Sequence, residues 1–549
     1  MNKRVVPLVV FALVLLRMAL PAHAPAAVDA HLALAALVLA RAQAPSRATL
    51  VAAGLLVLGG LVAVPWSWHP LLSALALPVV VGPAAFLLIG GQTPTRSGAL
   101  WGLAVGGAAN AVAATVQRFW TWPELLARSA ADLDATVVGR LTQARALGLS
   151  LSPDLCGALC IAGGCAAAVL ALEAPYRERR LAPIVLALVS LGGVVVVRSF
   201  GSALALGAGA ALAVGLVLSR RASRAVLVAT LGGVAMAALA LVGALASRGT
   251  DALAGSAAER LANWRIALDV AGLAPVTGVG LARFPAAYLL ERTPDANLTR
   301  YAHSGPLQWL AEGGALGALL VAGAVVVAAL ALWRRRAVLP ASSLVLVAGA
   351  VALFARTLID YDAQVAQTAS VLALLVGLTL AGDESAAAPL AVHRRVTLAA
   401  TVLLVPVVVL AFWRDGALAE QRDDARLRTW LQRLPGDAEA QVALGARAVD
   451  RLYACAEPAA CTAAHGNALA ALDAAAVLPH PSSAVFVLRA RVQAHAGALE
   501  LAERDVDTAL ALNPGSAPAH QLAVELARAQ GDDPAARLEA AAAWRVAVP

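Results

Sequence analysis

One stretch of the chain gathers the residue types that can move a phosphate-bearing group. It begins Glu259-Arg260-Leu-Ala-Asn-Trp264-Arg265 and continues Pro275-Val-Thr-Gly278-Val-Gly280-Leu-Ala-Arg283-Phe284. It ends Tyr301-Ala-His303-Ser304, with Gln308, Glu312, Gly313, Gly314 and Gly317 following. Arginine is always charged, planar and able to donate two parallel hydrogen bonds, which suits a diphosphate. Histidine takes a proton from an attacking hydroxyl near neutral pH. Cations beside a base therefore suit the displacement of a diphosphate leaving group. The same residues have a plainer use. The arginines can pair with Glu259, Asp269, Glu291 and Asp295, and His303 can cap the helix that follows.

The elements that hold these residues are apolar. The chain has 549 residues, of which 60% are apolar and 14% charged, and its mean hydropathy is +0.76. Soluble chains are nearer half apolar and a quarter charged, so the composition argues against an ordinary cytosolic enzyme. Aromatic residues make up 4%, which leaves Ala, Val, Leu and Gly, the residues of closely packed membrane helices. The net charge of +8 is no nucleic-acid signature, because Lys3 is the only lysine and the arginines sit in short clusters between apolar runs.

A bilayer core needs about 20 apolar residues per helix. Candidate spans fall near 5–22, 26–40, 49–66, 70–91, 98–117, 154–173, 181–198, 200–218, 225–246, 311–333, 341–359, 364–381 and 396–413. The expected fold class is therefore all-α, a polytopic transmembrane bundle of about 12–13 helices followed by a helical repeat. With the N-terminus in the cytoplasm, Arg41 and Arg47, Arg96, Arg177 to Arg180, Arg220 to Arg224, Arg334 to Arg336, and Arg394 and Arg395 all fall on the cytoplasmic side. The opposite side receives the loops 118–153 and 247–310 and everything after 413. The first apolar run ends Ala22-His-Ala24 and can be read as a cleaved signal peptide; an uncleaved first helix is the preferred reading.

After Trp413 the composition turns to Ala with Arg, Asp, Glu and Gln. Small residues recur there at a spacing of 34: Ala468, Ala502 and Ala536, then Ala475, Ala509 and Ala543. Gly497 and Gly531 fall at the turns between paired helices. This segment, 414–549, resembles the tetratricopeptide repeat, with an earlier unit around 437–478 interrupted by Cys455–Cys461. Such repeats bind protein partners, and an irregular helical bundle is the alternative. Outside the cytoplasm Cys455 and Cys461 can form a disulfide, whereas Cys156, Cys160 and Cys165 read as buried small hydrophobes. No Walker A loop, His-Glu-x-x-His or Gly-x-Ser-x-Gly occurs. Asp132 and Asp134 form an Asp-x-Asp pair that reads as a solvated helix face, and no metal and no cofactor are expected.

The motif spacing sharpens this. His303-Ser304 is followed by nine residues and then Gly314-Ala-Leu-Gly317. Upstream, Arg260 to Trp264 forms an Arg-x-x-x-Trp element, and Pro275, Gly278, Gly280 and Phe284 form a Pro…Gly-x-Gly…Phe pattern. The membrane portion, 1–413, resembles the O-antigen ligase and polymerase family, with the motifs concentrated in 198–317. The resemblance implies a glycosyltransferase of the bacterial inner membrane. It would take an undecaprenyl-diphosphate-linked glycan and transfer it to an acceptor hydroxyl on the periplasmic face. It implies catalytic roles for His303 and Arg260, with the donor's diphosphate held by Arg198, Arg260 and Arg265. One departure stands out: the family's Ser-Arg-Gly is here Arg198-Ser199-Phe200-Gly201, with the arginine displaced. The acceptor is a glycan chain, lipid A core or a protein. A lipid-linked glycan transporter with a non-catalytic headgroup site is the competing class, and a protein partner at the tail is expected in either. Arg356 and Asp360-Tyr361-Asp362, around the outer end of a late helix, can pair with one another or line a cavity, and Arg17 falls within the first span.

Overall fold

The computed structural model describes residues 5–20, 26–41, 43–129, 138, 141–143, 145–219, 250–294, 296–381, 390–419, 424–546 and 548. The fold is all-α, with no strand among the described residues. The membrane part is built from α1 (Val5–Ala19), α2 (Ala26–Ala40), α3 (Arg47–Val62), α4 (Pro70–Leu75), α5 (Pro78–Gly90), α6 (Arg96–Val116), α7 (Trp122–Ser129), α8 (Pro153–Glu173), α9 (Leu181–Val196) and α10 (Phe200–Ser219). It continues with α11 (Thr250–Leu273), α12 (Phe284–Glu291), α13 (Gly305–Arg335), α14 (Ala341–Ile359), α15 (Ala366–Leu380) and α16 (Leu390–Ala419). Seven helical stretches are long and apolar enough to cross a membrane, and five shorter ones are also apolar. This is a multi-pass membrane protein. The expected span 225–246 lies outside the described residues; each of the others overlaps one of these helices.

Small residues set the packing. α6 lies against α1, α8 and α9 at the centre of the bundle. Where it crosses α8, Gly107 faces Gly163, and a Cβ on either would meet the other's backbone, the close approach that small residues permit between apolar helices. Buried polar groups bridge helices rather than stand alone. The Asn110 amide donates to the Met18 carbonyl at 3.1 Å, and Gln367 donates to the same carbonyl at 2.9 Å. Arg17 is buried in an ion pair with Asp29.

The bundle has two chemically different ends. At one, Arg96 pairs with Glu173 at 2.6 Å, Arg335 donates to the Leu380 carbonyl at 2.8 Å, and His393 meets the Ala40 carbonyl at 2.8 Å. At the other lie the breaks around 145–154, 198–202, 303–305 and 356–364, together with the tail. The region 247–310, expected as a loop, carries helices of its own, α11 and α12.

The tail comprises α17 (Ala425–Arg433), α18 (Ala438–Ala454), α19 (Pro458–Ala476), α20 (Ser483–His495), α21 (Leu499–Leu512), α22 (Ala517–Gln530) and α23 (Ala535–Ala543). From α18 onward successive helices pair, and Ala468, Ala475, Ala502 and Ala509 are buried at the crossings. Ala536 and Ala543 are exposed instead, on a side of α23 that no other described helix covers. Gly497 and Gly531 adopt left-handed turns at φ 78° and 82°. Cys455, in the turn after α18, is joined by a disulfide to Cys461, in the first turn of α19.

Candidate functional site

The glycines of the motif build a seam. α13 is broken at Gly314 (φ 60°, ψ −168°), and the segment Pro275–Gly280 lies along the break and satisfies its backbone. Ala315 N–H donates to the Pro275 carbonyl at 2.8 Å and Leu316 N–H to that of Val276 at 3.1 Å. In return Val279 N–H donates to Ala311 at 2.9 Å and Gly280 N–H to Glu312 at 3.0 Å. A Cβ at Gly314 would strike the backbone of Val276 and Thr277, and one at Gly278 that of Glu312 and Gly313. Both glycines have positive φ, which side-chain-bearing residues avoid. Gly317 lies against the Gly59 carbonyl. The buried Glu312 carboxylate accepts from Phe284 N–H at 3.3 Å and from the Gln308 amide at 2.8 Å, while Gln308 accepts from Ala302 N–H at 2.7 Å. The loop is thereby fixed on both sides of His303.

His303 sits at the start of α13 with φ 53°, a conformation held only where the surroundings over-determine it. The Trp264 indole N–H donates to the His303 carbonyl at 3.0 Å. The imidazole does not cap α13. Its Nδ1 lies 3.3 Å from Asp360 Oδ1, and its ring meets that of Tyr361 edge-on at 5.1 Å. Donation from Nδ1–H to the carboxylate leaves Nε2 with its lone pair. Thr299 Oγ1 lies 3.4 Å from Nε2, and that hydroxyl donates to the Tyr301 carbonyl at 3.0 Å. Nε2 is therefore set up to accept a proton from elsewhere.

Behind Asp360 is a buried charge network. Arg356, with a side chain 2% exposed, reaches Asp362 at 3.0 Å and Asp360 at 3.5 Å. Its third contact is to Ser202 Oγ at 2.8 Å. Ser202 and Ser199 share a bond of 2.8 Å, and Ser199 Oγ donates to Asp154 at 2.5 Å. Burial disfavours the charge on Asp360, but the hydrogen bond from His303 and the charge of Arg356 outweigh it and hold the carboxyl below its ordinary range. Burial pushes Asp362 up to about 7, since one guanidinium serves two carboxylates. Burial also pushes the Tyr361 hydroxyl up to about 12, so it acts as a neutral hydrogen-bonding group. Arg356, Asp360 and Asp362 thus pair with one another. Asp154, Ser202, Thr299 and Tyr361 as partners of this network carry no local sequence signal beyond their place at the ends of apolar runs.

The other expected residues are distributed unevenly. Arg260 is half-buried one turn before Trp264, so it shares the helix face that contacts the His303 segment. Arg265 is exposed on the neighbouring strip of α11 and makes no ion pair among the described residues. Arg198 is exposed at the break between α9 and α10, next to Ser199, with φ 52°. Ser304 is buried and its side chain makes no cap bond. Asp132 and Asp134 lie outside the described residues.

The tail docks on this end of the bundle. Arg283, just after the Gly-x-Gly turn, pairs with Glu439 at 3.4 Å rather than with an acid of its own loop. Glu439 and Asp437 also hold Arg414 at 2.7 and 2.5 Å. Trp68 stacks on His480 at 4.0 Å, His69 Nε2 lies 3.3 Å from the His480 carbonyl, and Arg292 covers the Trp544 ring at 5.7 Å.

No curated protein matches the chain. Residues 184–322 match the family model described as O-Antigen ligase. The match runs from α9 to the middle of α13, taking in Arg198, Arg260, Trp264, the glycine seam and His303, and stops short of Arg356 and Asp360. The similarity to the O-Antigen ligase family thus covers the segment in which His303 stands at a break between apolar helices, with the motif glycines built into that break.

Proposed function

We propose that the protein is an inner-membrane glycosyltransferase that moves an undecaprenyl-diphosphate-linked glycan onto an acceptor hydroxyl at the periplasmic face. A ligase or polymerase type of function follows from the family. The observation that carries the reaction is the His303–Asp360 pair, with Nδ1 committed to a carboxylate that Arg356 keeps charged. In the reaction the acceptor oxygen attacks the anomeric carbon of the donor sugar. The bond from that carbon to the diphosphate oxygen breaks, and its electron pair leaves with the diphosphate. The acceptor proton passes to His303 Nε2, and Asp360 stabilises the imidazolium formed. Arg260 and Arg198 offset the charge that develops on the leaving group. Sidedness follows from the positive-inside rule, which puts the Arg96 and Arg335 end in the cytoplasm and the His303 end and tail in the periplasm. In this reading 1–413 is the catalytic membrane domain. Residues 414–549 form a tetratricopeptide-like domain that receives a protein partner.

The test is expression of wild type, His303→Ala, Arg260→Ala and Arg198→Ala, at equal membrane levels, in the native host lacking this gene. Surface glycan, lipid A-linked glycan and glycoprotein profiles are compared. Loss of one product with accumulation of the undecaprenyl-linked donor supports the transferase and names its acceptor. Normal product from both His303→Ala and Arg260→Ala rejects the site and favours a transporter.

A further inference from the structure

We propose that Arg118 is a second binding residue for the donor's diphosphate, acting with Arg198 as a two-guanidinium seat open to the lipid phase. The proposal rests on the transferase reading above. Arg118 lies in a single π-helical turn, Gln117–Thr121, that extends α6. Its Nη1–H donates to the Val196 carbonyl at 2.7 Å, two residues before Arg198, whose own N–H donates to Val195 at 3.2 Å. Arg118 thus reaches backbone two residues from Arg198, and the positive charge of Arg198 acts against its own. Two uncommon backbone conformations, a π turn and a left-handed arginine, thus converge to place like charges together. The Arg118 guanidinium also lies over the Phe119 ring at 5.2 Å. Among the described residues neither arginine has a carboxylate within ion-pair distance, while Arg17, Arg96, Arg145, Arg283, Arg356 and Arg414 all do. The acid on the neighbouring element, Asp154, is taken by Arg145 at 3.2 Å and by Ser199. Gln117, beside Arg118, is spent on the backbone of Leu147 and Gly148.

The surroundings select the class of anion. Val116, Phe119, Trp120 and Val195 are exposed around the pair. Exposed aromatics and aliphatics at the end of a membrane helix mark the interface, where a headgroup meets its acyl chain. Arginine pairs grip phosphate oxygens through parallel N–H donors. A diphosphate offers two phosphoryl groups to two guanidiniums, and its prenyl chain would lie on the apolar rim. The Ser199–Ser202–Arg356–Asp360 chain of hydrogen bonds connects this seat to the carboxylate behind His303.

The test uses the full chain in nanodiscs of zwitterionic lipid, titrated with undecaprenyl diphosphate, inorganic diphosphate or phosphatidylglycerol. Wild type, Arg118→Ala, Arg198→Ala and Arg118→Lys are compared. Arg128→Ala, which removes an exposed arginine paired with Glu124, is the charge control. Loss of one charge-assisted contact should weaken undecaprenyl diphosphate binding by about ten- to a hundredfold in either alanine variant. Arg118→Lys should recover part of the loss, and Arg128→Ala should match wild type. Inorganic diphosphate should bind more weakly but with the same dependence on both arginines. Binding within threefold of wild type in a folded Arg118→Ala, shown by an unchanged melting curve, overturns the proposal. So does phosphatidylglycerol competing at equal concentration. Binding is read without turnover, so the outcome is separate from that of His303→Ala, which tests the transfer reaction itself.

Discussion

Replacing Asp360 by asparagine tests whether the buried carboxylate makes His303 a base. The substitution keeps shape and an acceptor oxygen but removes the charge that faces the imidazolium formed when Nε2 takes the acceptor's proton. Hydrogen bonds to charged groups contribute about 1.5–3 kcal/mol. The Nδ1–Oδ1 separation of 3.3 Å is longer than the 2.7–2.9 Å typical of charge-assisted pairs. The lower end of that range, about 1.5 kcal/mol, is therefore the fitting value, and it corresponds to about a tenfold loss of kcat. Donor KM should stay near wild type, because Asp360 lies behind the base. The assay is initial-rate transfer in proteoliposomes from an undecaprenyl-diphosphate-linked glycan, with a melting curve taken on the same preparation. A kcat within twofold of wild type in a normally folded Asp360→Asn would refute the reasoning, whatever other arginine variants do.

Gly314→Ala forces a side chain into left-handed backbone against Val276 and Thr277. It should cost about 1–3 kcal/mol of stability and lower both the melting temperature and transfer; an unchanged melting curve contradicts the seam. Trp264→Phe removes the indole donor to the His303 carbonyl. It should cost about 1 kcal/mol and slow transfer about fivefold, with donor binding intact as read by titration. Asp362 titrates near 7, above its ordinary 3.8, so the stability it contributes is present below about 4 and is lost as pH rises through 7. Asp362 should therefore contribute a fall in wild-type melting temperature from about pH 4 to about pH 7 that levels off above 7, and Asp362→Asn should flatten that slope.

Much of this architecture was legible because hydropathy and charge act locally. Each apolar run from 5 to 40, 153 to 173 or 341 to 359 can become only a helix, and arginine clusters can only mark its ends. The spacing from His303 to Gly314 and Gly317 was also readable, although its reason was not. The glycines serve a seam with Pro275–Gly280, which no local pattern reveals. The network behind His303 was the least legible part. Asp360 is 57 residues from its histidine and Ser202 is 154 from Arg356. Those meetings are decided by which helices pack together, a property of the whole bundle. Arg118 carries no signal of its own in the sequence, because an arginine after an apolar run looks like any boundary residue until the neighbouring break is seen beside it. In the tail, Ala536 and Ala543 keep the period of 34 yet are exposed, because the period marks a position on a helix whereas burial also needs a covering helix, which no described residue supplies there.

The docking of the tail has a consequence for how the molecule comes into being. Arg283 lies 156 residues before the glutamate that holds it, and His69 lies 411 residues before its contact at His480. A chain emerging from the ribosome inserts its helices and presents the Gly-x-Gly turn long before either brace exists. The segment beside His303 can therefore reach its final geometry only after the chain through His480 has been made and has folded back against it. A chain cut before Glu439 and His480, however well inserted, is left with the segment beside Gly280 unbraced.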